Sequence, residues 1–323
     1  MQNPSKPAIT VFGGTGFIGR NFAAYASAQG SAVAICGRSP IPAPLAPLAT
    51  CHAFDATDLA ATRSVVEQTR PEAIVFGISR THPRGAPNAD PSMALTELRA
   101  LENVLEAARE FGAKQLVFFS SGGAVYGDGP QPHRETDPCR PKSLYGQLKL
   151  QGEALIKALS PALGIRTTIL RIGNPYGPHQ SPFGLHGVIP IFTYKMLTNA
   201  PITVMGSLDS AKDYIFIDDV SAAIWACIER QAAGTFNIGS GTTASLRTLI
   251  ESISGICGVQ PNLEYRDITA AEVASFSLDV SKARNELAWR PATDLDVGIR
   301  TTKKWLEQNY PLARAKPATA RAK

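Results

Sequence analysis

Through its first half the chain alternates short, unbroken apolar runs with stretches whose apolar residues recur every three or four positions. Residues 8–12 predict a buried strand, 17–29 a helix, 31–36 a second strand and 52–54 a third, followed by a helix over 59–68. Residues 73–76 predict a fourth strand, 91–111 a long helix and 115–120 a fifth strand; 145–159 is helical and 167–171 extended again. Strands that are apolar throughout, separated by helices, predict a parallel sheet covered on both faces. Ligands of such doubly wound α/β sheets bind at the carboxyl ends of the strands. After Asn174 the pattern changes: Pro, Gly and short helical pieces dominate residues 175–205, and the rest mixes helices with short extended runs. The reading is a large unit over 1–173, to which segments near 212–241 return, and a smaller, partly interleaved C-terminal α/β unit over 174–310. The crevice between them is the expected substrate site.

Composition sharpens this only locally. The 323 residues are 44% hydrophobic and 18% charged, which is ordinary for a folded domain and excludes general disorder. The net charge of +5 includes Arg314, Lys316, Arg321 and Lys323 in residues 311–323, so the body carries +1. The basic balance therefore reports a tail, expected to be disordered, and no nucleic-acid face. Five cysteines without CxxC pairing predict reduced thiols and a cytoplasmic protein. No leader is expected at the N-terminus, and no apolar run approaches the roughly 18 residues that span a membrane. The five histidines show no metal spacing, although His186 is placed to line a pocket.

The first chemical signal is Gly13-Gly14-Thr15-Gly16-Phe17-Ile18-Gly19, directly after strand one and opening helix one. Gly13 permits the tight turn, Gly16 lets backbone N–H groups approach a pyrophosphate, and Gly19 lets helix and strand pack closely. Thr15, Phe17 and Ile18 belong to the same phosphate cradle. A lone glycine triplet is a weak signal, but one placed between strand and helix predicts a dinucleotide site. An acid at the end of strand two would select NAD by holding its ribose 2′-hydroxyl. Here the strand ends Ile35-Cys36-Gly37-Arg38-Ser39. Arg38 can pair with a 2′-phosphate, which favours NADP over NAD, or it is a solvated loop residue. Asp55 either accepts from the adenine amine or caps the next helix.

The second signal is Tyr145-Gly146-Gln147-Leu148-Lys149, whose i,i+4 spacing puts phenol and ammonium on one helix face. A phenol with a pKa of about 10 is a poor base at neutral pH. A neighbouring ammonium, with the positive nicotinamide ring nearby, lowers that pKa toward the working range. Lys149 can also hold the ribose beside the nicotinamide. The YxxxK spacing alone is common on surfaces; its order after the glycine loop and Ser120-Ser121 gives it weight.

Taken together, these motifs resemble those of the extended short-chain dehydrogenase/reductases, in particular the sugar-nucleotide epimerase/dehydratase group. The landmarks are GGTGFIG (13–19), SSGGAVYGD (120–128), YGQLK (145–149), RIGNPYGP (171–178), KDYIFIDDV (212–220), TFNIGSG (235–241) and FSLDVSKARNELAWRP (276–291). The resemblance implies a Rossmann dinucleotide domain and the following roles. Tyr145 is the acid/base and Lys149 its partner. Asn174, Lys212 and Arg266 lie against the substrate's phosphates. A homodimer forms through the helices starting at Pro91 and Tyr145, and the pathway is polysaccharide or O-antigen precursor synthesis.

Four positions depart from that pattern. The family's catalytic Ser or Thr falls on Gly122, leaving Ser121 or Ser120 to reach the substrate hydroxyl. The HLAA after strand four is Phe76-Gly77-Ile78-Ser79, a helix asparagine is Glu97, and the arginine before DY is Lys212. A lysine meets a phosphate as a point charge and cannot grip it bidentately. Resemblance of the whole motif series favours an epimerase that oxidises a sugar carbon, C4 by expectation, and returns the hydride to the other face. The small Gly122-Gly123-Ala124 segment is expected to leave room for the sugar to turn. Arg38 favours the alternative, an NADPH-dependent 4-keto-6-deoxy sugar-nucleotide reductase. A non-catalytic dinucleotide sensor is a third reading, against which the retained Tyr/Lys pair counts. The substrate's nucleotide and sugar are not legible in these residues.

Overall fold

Seven parallel strands form the central sheet of the computed structural model, which describes residues 6–38, 47–81, 91–184, 186–266 and 275–312. In chain order the first elements are β1 (Ile9–Phe12), α1 (Phe17–Ala28), β2 (Val33–Gly37), β3 (Thr50–Ala53), α2 (Leu59–Thr69), β4 (Ala73–Phe76) and α3 (Pro91–Glu110). They are followed by β5 (Gln115–Ser121), α4 (Gly122–Val125), α5 (Leu144–Leu163), β6 (Arg166–Ile172), β7 (Asn174–Tyr176), α6 (Val188–Leu197), β8 (Ile202–Met205), β9 (Ala211–Lys212), β10 (Tyr214–Phe216) and α7 (Ile217–Glu229). The last are β11 (Gly234–Ile238), β12 (Ala244–Ser245), α8 (Leu246–Cys257), β13 (Leu263–Arg266), α9 (Ser281–Glu286) and α10 (Leu295–Asn309).

The sheet order is β11-β6-β5-β4-β1-β2-β3. β1 and β4 are buried along their whole length, as unbroken apolar runs require, whereas edge strand β3 is largely exposed. The chain runs from β1 outward to β3, then returns across β1 to β4 and builds the other half. The strand order thus reverses between β1 and β4, the place where such sheets open a crevice. β11 pairs with β6, and α7 packs on α1, so residues 217–238 complete the sheet layer. The short pairs β10–β7, β12–β9 and β13–β8 form the remainder.

Local chemistry sets most boundaries. The side chains of Asp58, Ser143 and Ser245 cap α2, α5 and α8 by accepting from Ala61, Gly146 and Thr248 N–H groups. α5 runs past the predicted end at 159, through Pro161, to Leu163. Leu155, Leu159 and Leu163 continue its apolar stripe, and Gly164 ends it in the left-handed conformation at φ 66°. The basic tail lies, from residue 313 on, outside the described residues, as does His82. No described helix is long and apolar enough to cross a membrane.

Beneath α5 lies a buried polar network. Arg171 Nε and Nη2 donate to the two Glu153 oxygens at 3.0 and 2.7 Å, and Ser120 Oγ donates to Glu153 Oε1 at 2.6 Å. Arg171 Nη1 donates to the Tyr126 hydroxyl at 3.0 Å, which in turn donates to Asn237 Oδ1 at 2.7 Å. Glu153 is fully buried and Arg171 nearly so. Removing one partner of such a pair strands the other charge. Arg171→Leu is therefore expected to lower unfolding free energy by about 3–5 kcal/mol. The double variant Glu153→Leu/Arg171→Leu should lose less than that single one; urea midpoints of the two proteins check both expectations.

Candidate active site

The carboxyl ends of β1, β4 and β5 meet the glycine loop at the point of strand reversal. Gly13 has φ +82°, and a Cβ there would lie 2.7 Å from the Gly77 carbonyl carbon, so the loop and the end of β4 touch backbone to backbone. α1 opens on Gly16 with no side-chain cap and no acid in its first turn, and Gly16, Phe17 and Ile18 line the cleft. An uncapped helix N-terminus facing a cavity through glycine fits a pyrophosphate.

On one side of this loop is a pocket of about 160 Å³ lined by Thr15, Arg38, Phe54, Asp55, Ile78 and Arg80, among others. It suits the adenosine half of a dinucleotide. Arg38 is exposed at its rim, and the β2 end carries no acid. Asp55 lines this pocket and does not cap α2. Its carboxylate accepts two hydrogen bonds from Arg80 Nη2, at 2.8 and 2.6 Å, and others from Thr57, and the α2 cap is Asp58. Those bonds and the Arg80 charge hold the Asp55 carboxyl below the usual carboxylate range despite the opposing effect of desolvation.

On the other side is a cleft of about 720 Å³ that reaches from Gly16 to β8 and α6. Ser121, Tyr145 and Lys149 line its middle, and Asn174, His186 and Lys212 its far half. Tyr145 and Lys149 share a face of α5, with the ammonium 5.5 Å from the Tyr145 ring centroid. Burial pushes the Tyr145 phenol up to about 12, a hydrogen bond with Ser121 works the other way, and the Glu97 carboxylate adds to the rise. The resting group is therefore a proton-bearing phenol. Burial also pushes the Lys149 ammonium down, against Glu97, which holds its proton on.

The two serines part company, although both line the cleft. Ser121 faces Tyr145, while the hydroxyl of Ser120, read from the sequence as a cofactor contact or the second candidate for the substrate hydroxyl, donates to Glu153. Successive strand residues point to opposite faces, so one of the two had to turn inward. Gly122 does not open the cleft as expected. A Cβ there would meet Leu278 at 2.8 Å, and one on Gly123 would meet the Phe276 ring at 2.9 Å. The space that these glycines leave is filled by the segment after 275, which bridges to His133 and Lys212. Arg266 ends β13 exposed and outside the residues that line the cleft. Asn174 Nδ2 and Gln180 Oε1 are buried polar atoms without a protein partner at the cleft, as expected of groups that meet a ligand.

Sequence reading noticed Glu97 as a departure but gave it no contact. Its carboxylate, 6% exposed, accepts from Ser79 Oγ at 3.2 Å, Arg80 N, Thr81 N at 2.7 Å and Thr81 Oγ1 at 3.0 Å. It also pairs with Lys149 Nζ at 3.7 Å. The available signal was an acid on the apolar stripe of α3, in line with Leu101, Val104 and Ala108. Glu153 and Arg171 had comparable signals: an acid four residues beyond Lys149, and a charge inside an apolar strand.

The family model "NAD dependent epimerase/dehydratase family" matches residues 9–239. The chain is 37% identical over 191 residues to an Escherichia coli dTDP-4-dehydro-6-deoxyglucose reductase, covering 59% of this chain and 60% of that protein. It is 30% identical over 240 residues to a UDP-glucose 4-epimerase of Mycolicibacterium smegmatis, covering 74% and 77%. Among solved structures, the Thermotoga maritima UDP-glucose 4-epimerase with UDP-glucose superposes with TM-score 0.89 at 28% identity, over 93% of this chain and 99% of that one. The Thermus thermophilus UDP-glucose 4-epimerase complex with NAD gives 0.85 at 27%, over 94% and 100%.

The start of the helix that presents Tyr145 is seated through Gly146. A Cβ on Gly146 would overlap the Ala124 carbonyl oxygen and lie 2.9 Å from Pro141 Cβ. Gly146→Ala must therefore push the start of α5 off α4, costing about 1–3 kcal/mol. Moving Tyr145 in this way is expected to lower kcat by up to about 100-fold, read from steady-state kinetics beside the thermal midpoint.

Proposed function

The chain belongs to the NAD dependent epimerase/dehydratase family, and from that premise we propose that it inverts a hydroxyl-bearing carbon, C4, of a nucleotide-linked sugar. The observation that carries this reading is the single cleft in which Ser121, Tyr145 and Lys149 stand between the glycine loop and a distal half bearing Asn174 and Lys212. Lys142, Lys149, Lys195 and Lys212 line it and no described Asp or Glu does, which suits a substrate carrying a diphosphate. The region after residue 174 is read as the nucleotide-sugar half.

Tyr145 takes the proton from the sugar hydroxyl as the carbon is oxidised and gives it back after the ketone has turned over. Ser121 holds the same hydroxyl and the phenol oxygen in line. Lys149 supplies the positive charge that makes the phenolate accessible and reaches toward the ribose. The glycine loop and Lys149 would hold the nicotinamide cofactor, which would supply the acceptor and donor of the hydride. For the dinucleotide we read NADP over NAD, on Arg38 at the adenosine pocket and the absence of an acid at the end of β2. The protein is read as a cytoplasmic homodimer joined through α3 and α5, where Leu95 and Leu144 are exposed.

Arg38 also favours the second reading, a reductase of a 4-keto-6-deoxy sugar nucleotide that uses NADPH, and the E. coli relative bears that kind of name. Mass spectrometry of nucleotide released on heat denaturation separates the two. Stoichiometric retained dinucleotide supports the epimerase; an empty protein that binds NADPH more tightly than NADH sinks it in favour of the reductase. Tyr145→Phe is expected to lower kcat by about 10²–10⁴-fold with KM little changed. Undiminished turnover would remove Tyr145 from the reaction.

A further inference from the structure

Glu97 is placed where three parts of the site meet. The segment Gly77-Ile78-Ser79-Arg80-Thr81 forms the wall shared by the adenosine pocket and the cleft: Gly77 and Ser79 line both, Arg80 the first and Thr81 the second. One carboxylate on α3 accepts four hydrogen bonds from this wall: two from backbone amides and two from hydroxyls. The same carboxylate lies 3.7 Å from Lys149 Nζ, in surroundings where neither side chain exceeds 6% exposure.

The other charges nearby are committed elsewhere. Arg80 turns away onto Asp55, and Lys142 at the cleft mouth pairs with Asp128. From α5 itself, Lys149 meets the Tyr145 ring, and Glu153 one turn further is held by Arg171 and Ser120. From β5 it meets the Phe118 ring at 5.6 Å, and the wall residues that line the same cleft, Ser79 and Thr81, carry no charge. Glu97 is therefore the anion that faces the Tyr145–Lys149 pair among the described residues.

We propose that Glu97 is a positioning residue that anchors the wall between the two pockets and sets the protonation of the Tyr145–Lys149 pair. The charge argument has a definite sign. A buried anion makes every proton in its neighbourhood harder to remove, whether it sits on the phenol or on the ammonium. Removing the charge must bring the first proton lost by the pair to lower pH, whichever of the two groups releases it. An uncharged glutamine retains an acceptor for the amides of Arg80 and Thr81, so a purely architectural role predicts no such displacement.

This inference rests on the reading of Tyr145 as acid/base, yet its test does not depend on turnover. Tyrosine ring-carbon NMR, with Tyr145 assigned by Tyr145→Phe, follows the phenol in the parent protein, Glu97→Gln and Glu97→Asp at matched nucleotide content. Glu97→Gln is expected to move the first titration step of the pair down by on the order of one pH unit. The acid limb of the kcat profile should move with it. Glu97→Asp, which keeps the charge but draws it back by a methylene, should move the step in the same direction by less. Unmoved or upward-shifted titrations in the folded variants overturn the proposal. Should Glu97→Gln not fold, a motionless Glu97→Asp does so alone. A shift in an enzyme that does not need Tyr145 would keep the electrostatic inference and discard the catalytic one.

Discussion

The whole catalytic edge is fixed by the buried pairing of Arg171 with Glu153. Arg171 comes from β6, Glu153 from α5, and the carboxylate also takes the Ser120 hydroxyl from β5. Two charges removed from water cost several kcal/mol each unless geometry and further hydrogen bonds compensate. Here the two-pronged contact, Ser120 and Tyr126 supply them. Only one rotation of α5 on the sheet satisfies that arrangement. Because Tyr145, Lys149 and Glu153 follow at four-residue spacing, fixing Glu153 against the sheet fixes the phenol and ammonium along the same face of the helix. The same bond explains the division of labour between the serines: Ser120 is consumed by the network, and the alternation of the strand leaves Ser121 for the cleft.

Burial then acts on the catalytic pair in two directions at once. It raises the phenol and lowers the ammonium, driving both toward neutrality. A neutral lysine would be useless for drawing a proton off Tyr145, so the ammonium needs an anion. Glu97 supplies it, although the same anion raises the phenol further. At about 12, the Tyr145 phenol rests with its proton on.

Much of this was legible in the residues. The strand and helix series through residue 172 could be read because fully buried parallel strands are unbroken apolar runs, and boundaries shifted by only a few residues. The placement of the glycine loop between β1 and α1, and of Tyr145 and Lys149 on one face of α5, was legible because the spacings are set by strand, turn and helix geometry. What escaped were contacts between distant segments. Nothing local to Asp55 says that Arg80, 25 residues on, will occupy it. Nothing local to Gly122 and Gly123 says that Leu278 and Phe276 will fill the space above them. Arg266, assigned by resemblance, is exposed at the end of β13 beside Met205 of β8; Met205 lines the cleft and Arg266 does not. The charges embedded in apolar patterns, Glu97 and Arg171, were visible but could not be paired without the fold.

The filled glycine positions bear on how a sugar could turn over in the cleft. Phe276 and Leu278 are wedged against α4, and their segment bridges to Lys212 and His133. Asp213 extends the same seam: its carbonyl accepts from Asn174 N, and its carboxylate accepts from Ser240 and Gly241. The Asp213 carboxyl is pushed up by burial and is drawn back by those same bonds. The seam between sheet and substrate half is therefore a bonded, packed surface and makes a poor hinge. Room for a rotating ketone has to come from the width of the cleft itself. Its far side is built from Gly184, His186 and Gly187 together with residues of α6 and β8. The packed near wall keeps Ser121, Tyr145 and Lys149 registered with one another.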